Sequence, residues 1–245
     1  MNTLWERRVE IYIYLLLAAS MAWCVLPFVD FRNDAAGALD GKTASTPVVE
    51  KSDLIGKLET RAKGPEFREI VRLVEETVGS PPEPLWPDQN VNVGVTFRVD
   101  HELVEQSIIP WQCELLGKEC YLFRLNNSPG MDDATDRLAL VPTADVYEVI
   151  RLVGTSGNGF RYNGKELTTT SIIGWLKELG KRQPLQITGI GADFIEGQYL
   201  TPVKNPDELA ERIYKFCPDI VDQRNYTVKC LADELRDRQL CFWWD

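Results

Sequence analysis

The sequence predicts an α+β fold, a mixed sheet with helices packed on one face, preceded by an N-terminal transmembrane helix. Three observations predict it. Residues 11–29 carry no charged side chain and follow Arg7 and Arg8. From Val91 to Val99 apolar and polar residues alternate, the two-residue period of a strand with one buried face. From Arg137 onward, short apolar runs and stretches of helical periodicity recur in the order strand, helix, helix, strand, and then repeat that order.

The apolar segment is close to the ~20 residues a helix needs to cross a hydrocarbon core, and its basic flank favours a cytoplasmic N-terminus. A soluble helix normally keeps a polar face, and this run has none. Two other readings stay open: a signal peptide cut after Ser20-Met21-Ala22, and a buried helix of a cytosolic domain. Residues 30–48 are rich in Ala, Gly, Asp, Ser and Thr without periodicity and read as a flexible tether. The chain then divides into an N-terminal helix and strand extension, 49–136, and a more regular domain, 137–245.

In the extension, Phe67, Ile70, Val71, Leu73, Val74 and Val78 recur at helical spacing between Pro65 and Gly79. Val91, Val93, Val95, Phe97 and Val99 mark the first strand, and Cys120 to Leu125 a second. In the regular domain the first half reads as a strand at Leu138–Val141, a helix from Ala144 to Val153 capped by Thr143, a helix from Ser171 to Leu179 stopped by Gly180, and a strand at Leu185–Ile190. The second half reads as a strand at Phe194–Leu200, helices at Pro206–Phe216 and Val228–Arg236 behind Asn205 and Thr227, and a closing strand at Leu240–Trp244.

Several strings in this half are distinctive: Leu140-Val141-Pro142-Thr143 with Tyr147-Glu148-Val149, Gly191-Ala192-Asp193-Phe194-Ile195-Glu196-Gly197, Leu200-Thr201-Pro202, and Cys217-Pro218-Asp219-Ile220-Val221-Asp222-Gln223. With Trp175-Leu176 and the terminal Trp-Trp-Asp they resemble the family called domain of unknown function 4253, over roughly residues 137–245. That family places Gly after the Gln where this chain has Arg224, so its tight turn there is not implied. The resemblance implies a domain boundary and no particular activity.

Composition narrows the function classes. Hydrophobic residues at 44% supply enough material for a core, and 26% charged residues are ordinary for a soluble domain. The net charge of −10 is spread along the chain, and no basic stretch with interleaved aromatics occurs, which argues against a nucleic-acid partner. Cys24 lies in the apolar segment, leaving Cys113, Cys120, Cys217, Cys230 and Cys241. Cys113 and Cys120 flank an apparent hairpin connection and are a candidate disulfide in an oxidising compartment, with separately buried thiols as the alternative.

His101 is the single histidine, so triads, Cys-His dyads and zinc sites built on several histidines have nothing to use unless His101 itself serves. It reads as a surface or loop residue. Gly154-Thr155-Ser156-Gly157-Asn158-Gly159 follows a helix instead of preceding one, so it is a helix stop and mobile loop rather than a phosphate cradle. Gly189-Ile190-Gly191 sits between two strands and reads as a hairpin turn. The remaining catalytic candidates are the carboxylates Asp193, Glu196, Asp219 and Asp222, which would hold Ca²⁺ or Mg²⁺, or form an acid-base pair, only if a bulge or helical turn brings them together. Otherwise no cofactor is implied.

Trp243, Trp244 and Asp245 are the candidate binding residues, with alternation sending Phe242 and Trp244 to one side of the last strand and Trp243 to the other. The expectation drawn from these features is a single-pass protein of a bacterial inner membrane, engaging the bilayer through residues 11–29, with its main domain in the periplasm or outside the cell. Its leading function is a non-enzymatic protein-binding module of the inhibitor or immunity kind. A carboxylate-based metal-dependent hydrolase and a structural component of the cell envelope are the alternatives.

Overall fold

The computed structural model describes residues 51–89, 91–126, 135–223 and 227–244. The expected membrane segment, the tether, Arg224 and Asp245 lie outside them, and among the described residues no helix is long and apolar enough to cross a membrane.

Helix α1 (Lys51–Ala62) buries Leu54, Leu58 and Ala62, four residues apart on one face. Helix α2 (Pro65–Val78) starts on its proline and stops at Gly79, whose φ of 72° is the left-handed cap that only glycine adopts without strain. Then come β1 (Glu83–Trp86), β2 (Val91–Asp100), α3 (His101–Glu114), β3 (Tyr121–Asn126) and β4 (Thr135–Val141). Helix α4 (Val146–Val153), the small hairpin β5 (Arg161–Tyr162) and β6 (Lys165–Glu166), α5 (Thr169–Arg182) and β7 (Leu185–Ile190) complete the first strand-helix-helix-strand order. The second is β8 (Phe194–Tyr199), α6 (Pro206–Phe216), the single turn α7 (Asp219–Asp222), α8 (Val228–Arg236) and β9 (Gln239–Trp243).

The fold is α+β with a mixed seven-stranded sheet in the order β1-β2-β4-β3-β7-β8-β9. Every neighbouring pair is antiparallel except β3 and β7, which run parallel and share the single register pair Arg124 and Gly189. That junction is a seam. Its missing ladder bonds are supplied by side chains: Gln112 Nε2 donates to the carbonyls of Leu122 and Ile187 at 2.7 and 2.9 Å. Tyr121 Oη donates to the Ile187 carbonyl at 2.7 Å, and Gln186 Nε2 donates to Gln112 Oε1 at 2.9 Å. Buried backbone carbonyls left without partners would be costly, and here a buried glutamine answers two of them.

Helices cover both faces of the sheet, a correction to the one-face expectation. One core joins Phe123, Val141, Ile187, Ile195 and Phe242 to α4 through α8, with Leu54 and Leu58 of α1. A second joins Phe97, Val99, Leu122, Leu138 and Leu140 to Phe67 and Val74 of α2 and Val104, Ile108 and Trp111 of α3. The reason is visible in the strands: β2 and β4 bury residues on both sides of the pleat, so each side needs a cover.

Helix α3 replaces the expected hairpin. Asp100 caps it, its side chain accepting from the Leu103 amide at 3.1 Å, and Pro110 sits inside it. Cys113 lies on its last turn and Cys120 just before β3, and both thiols are free in this structure. Farther along, α4 is capped by Asp145 instead of Thr143, and α5 begins at Thr169 and runs on through Gly180. Gly154 ends α4 at a φ of 84°, as the sequence implies. The loop after it is pinned: the buried Thr155 donates Oγ1 to the Gly191 carbonyl at 2.6 Å, and the Ser156 amide donates to Ala192.

Candidate functional site

The four candidate carboxylates fall in three places. Asp193 is exposed in the β7–β8 turn, where its carbonyl accepts from the Trp244 amide at 2.9 Å. Asp219 and Asp222 sit on α7, the helical turn after Pro218, and Asp222 accepts from the Tyr214 hydroxyl at 3.1 Å. Glu196 lies in the middle of β8, facing Arg124. Among the described residues no group of three His, Cys, Asp or Glu side chains is placed to hold a metal ion.

Glu196 belongs to a different constellation, which the sequence reading missed. Arg124, on β3, is 5% exposed and meets three carboxylates: Glu196 at 3.1 Å through Nη1, Asp136 of β4 at 3.0 Å through Nε, and Glu105 of α3 through Nη2. The Nε contact to Asp136 is an ion pair without the alignment of a hydrogen bond. His101, the first residue of α3, places Nδ1 3.1 Å from the same Asp136 oxygen. Burial pulls the guanidinium pKa down, but Glu196 and then Glu105 and Asp136 outweigh it, and the net direction is up. An arginine fixed as a cation at every accessible pH cannot pass protons, and each of its nitrogens faces a carboxylate. The arrangement is suited to holding the sheet seam together. Its sequence signal is plain in hindsight: Arg124 is the one charge within the apolar run Tyr121-Leu122-Phe123-Arg124-Leu125.

The terminal aromatics divide as alternation predicts, and that division removes Trp244 from the candidate binding residues. Phe242 and Trp244 are fully buried, their rings stacked at 5.7 Å with Phe216 set edge-on against both. Trp175 lies flat on Phe216 at 4.2 Å. Trp244 is therefore core and offers no surface. Trp243 is half-buried on the opposite side of β9, across from Phe194.

Open surface with the shape of a binding site lies elsewhere, along α2. An open groove of about 960 Å³ is lined by α2, the α1–α2 connection, the turn that joins α3 to β3, and Pro142. Phe67, Ile70 and Leu73 give it an apolar wall, and Glu66, Glu69, Glu76, Arg72, Lys118 and the paired Arg61 and Glu119 give it a charged rim. Leu73 is 47% exposed and Leu116, in the facing turn, is 76% exposed. The sequence placed Leu73 in the helical apolar stripe of α2, but only packing shows that this stripe is wider than the core it covers.

Residues 137–245 match the family model described as Domain of unknown function (DUF4253). No curated protein and no solved structure matches the chain. The DUF4253 region begins inside β4 and contains Glu196, whereas Arg124, Glu105, His101 and β3 lie before it, as does the lining of the groove apart from Pro142. Its sheet is therefore incomplete by itself, because β3 stands between β4 and β7.

Proposed function

We propose that the protein is a non-enzymatic protein-binding module, anchored to a membrane through residues 11–29 with its folded part outside the cytoplasm. The groove beside α2 carries this reading: a concavity with an apolar wall, a partly exposed Leu73 and a charged rim has the make-up of a protein interface, an apolar centre inside a polar border. The separation of the four carboxylates supports this reading over the hydrolase alternative: Glu196 is engaged with Arg124 while Asp193, Asp219 and Asp222 sit on a separate turn and helix. The acidity of the chain adds long-range attraction for a basic partner and repulsion for nucleic acid.

The test is an affinity capture with the full chain as bait, from membranes of the source cells, with and without chelator. One stoichiometric protein, retained in chelator and lost with Leu73→Glu, is the expected outcome. Capture of nothing, together with a melting temperature that falls in chelator and recovers with Ca²⁺ or Mg²⁺, overturns the reading in favour of a metal-dependent activity.

A further inference from the structure

We infer that the groove beside α2 takes a basic, leucine-faced helical segment of a partner protein. The inference rests on the binding-module reading and adds the chemistry of the occupant. Its first ground is shape. Glu66, Glu69, Leu73 and Glu76 recur at steps of three and four, so they form one stripe of α2. At 1.5 Å per residue that stripe is about 15 Å long, close to three helical turns. A groove of about 960 Å³ bounded along one side by a helix admits a second helix lying against it, the helix-in-groove mode of recognition.

The second ground is charge. Arg61 and Glu119 pair with each other at 3.6 Å, and Arg61 also donates to the Pro142 carbonyl. Glu66, Glu69 and Glu76 make no ion pair among the described residues. Arg72 stands one turn from Glu69 and Glu76, and Lys118 lies on the facing turn, so apart from the Arg61–Glu119 pair the lining carries three glutamates against two cations, an acidic excess of one beside the apolar Ile70 and Leu73. A segment that satisfies this wall places an aliphatic side chain on Leu73 and Ile70 and Lys or Arg one turn away, facing Glu66 and Glu69. An acidic segment would meet like charges at close range, and a wholly apolar one would leave the glutamates desolvated without partners.

The test selects displayed random dodecapeptides on the full chain and measures the affinity of the winners by fluorescence anisotropy. The expected winners carry Lys or Arg around Leu, Ile or Met at spacings of three and four, and lose at least ~10-fold in affinity with Leu73→Glu, and likewise with Glu66→Lys combined with Glu69→Lys. Leu200→Glu, at an exposed leucine away from the groove, just beyond β8, leaves binding unchanged. All these positions are solvent-facing, and thermal melts confirm that each variant stays folded. Winners that are acidic, or that bind Leu73→Glu as well as the parent, overturn the inference while leaving a binding module with a different surface. If no peptide is selected, both the inference and the reading beneath it fall.

Discussion

Arg124 on β3 and Glu196 on β8 reach each other across an intervening strand because the residue between them on β7 is Gly189. A methyl group built at Gly189 would lie 2.6 Å from Glu196 Oε2 and 3.2 Å from the Phe194 ring. The seam between β3 and β7, with its one register pair, is thus closed by an ion pair that passes over a glycine. Gly189→Ala is expected to push Glu196 off Arg124 and cost about 1–3 kcal/mol of stability. The same substitution made on top of Glu196→Ala should cost less, since the obstructing carboxylate is gone. Chemical denaturation of the four proteins checks this, and strict additivity would sink it.

Removing the arginine is the more severe change. Arg124→Met keeps an unbranched, flexible side chain but removes the guanidinium and leaves Asp136 and Glu196, both largely buried, without their cation. Breaking one side of a buried ion pair typically costs about 3–5 kcal/mol, and the expected loss here lies in that range. A variant within about 1 kcal/mol of the parent in urea would show that the cluster contributes little to the seam.

Glu148 ties α1 to α4, accepting from Lys57 and, at 2.6 Å, from Thr143. Burial tends to raise its pKa, but the hydrogen bonds from Lys57 and Thr143 and the charges of Lys57 and Arg61 lower it on balance below the ordinary 4.5. A carboxyl depressed in the folded state stabilises above its unfolded pKa, and that contribution fades as pH falls through the folded value. Glu148→Gln should therefore be less stable than the parent at neutral pH, by at most about 1 kcal/mol for so exposed a pair, and the gap should close below the ordinary carboxylate range. Melts at neutral and strongly acidic pH decide it; a gap that stays constant across the range would count against the linkage.

The elements most legible in the sequence were those with one period and clear punctuation. Helix α2, with Pro65 and Gly79 at its ends, and β7, β8 and α6 appear at or within a residue of where the pattern puts them. Helix α3 was hidden because Pro110 interrupts it and because its apolar residues Val104, Ile108 and Trp111 are mixed with Gln and Glu in a weak pattern. What sequence could not show was pairing at a distance. Nothing local says that β3, from the extension, inserts between β4 and β7, so nothing local says that Arg124 will find Glu196 seventy-two residues on. The groove is hidden for a similar reason: Leu73 continues the apolar stripe of α2, and its exposure depends on where the α3–β3 turn ends up.

Thiol chemistry gives an independent check on burial. Cys230 is exposed at the start of α8, and hydrogen bonding with Thr227 lowers its pKa from 9.0. Burial pushes Cys120 up to about 11 and also raises Cys217, which is fully buried and donates to the Trp243 carbonyl at 3.0 Å. Because the thiolate is the reacting form, iodoacetamide near neutral pH should label Cys230 well before Cys120 or Cys217, as peptide mass spectrometry would show. Raising the pH towards 9 should speed Cys230 only until it is ionised, while Cys217 waits for unfolding. Early labelling of Cys217 in the native protein would mean that the packing of Phe216 and Trp244 around it opens readily.

The insertion of β3 also makes the extent of the folded unit testable. A fragment of residues 137–245 would carry the whole DUF4253 match but start inside β4 and lack β1, β2, β3, α2 and α3. It would expose the unpaired edges of β4 and β7 together with Leu138 and Leu140, and long exposed edges with apolar flanks favour aggregation. A fragment from residue 48 keeps the compact unit Val48–Asp245 and the seam residues Gln112, Tyr121 and Arg124. The longer fragment should be monomeric with a cooperative melt, and the shorter one insoluble or without a cooperative transition. A soluble, cooperatively melting 137–245 fragment would show that β4 and β7 can close on each other without β3, and that the seam is an addition to a fold already complete.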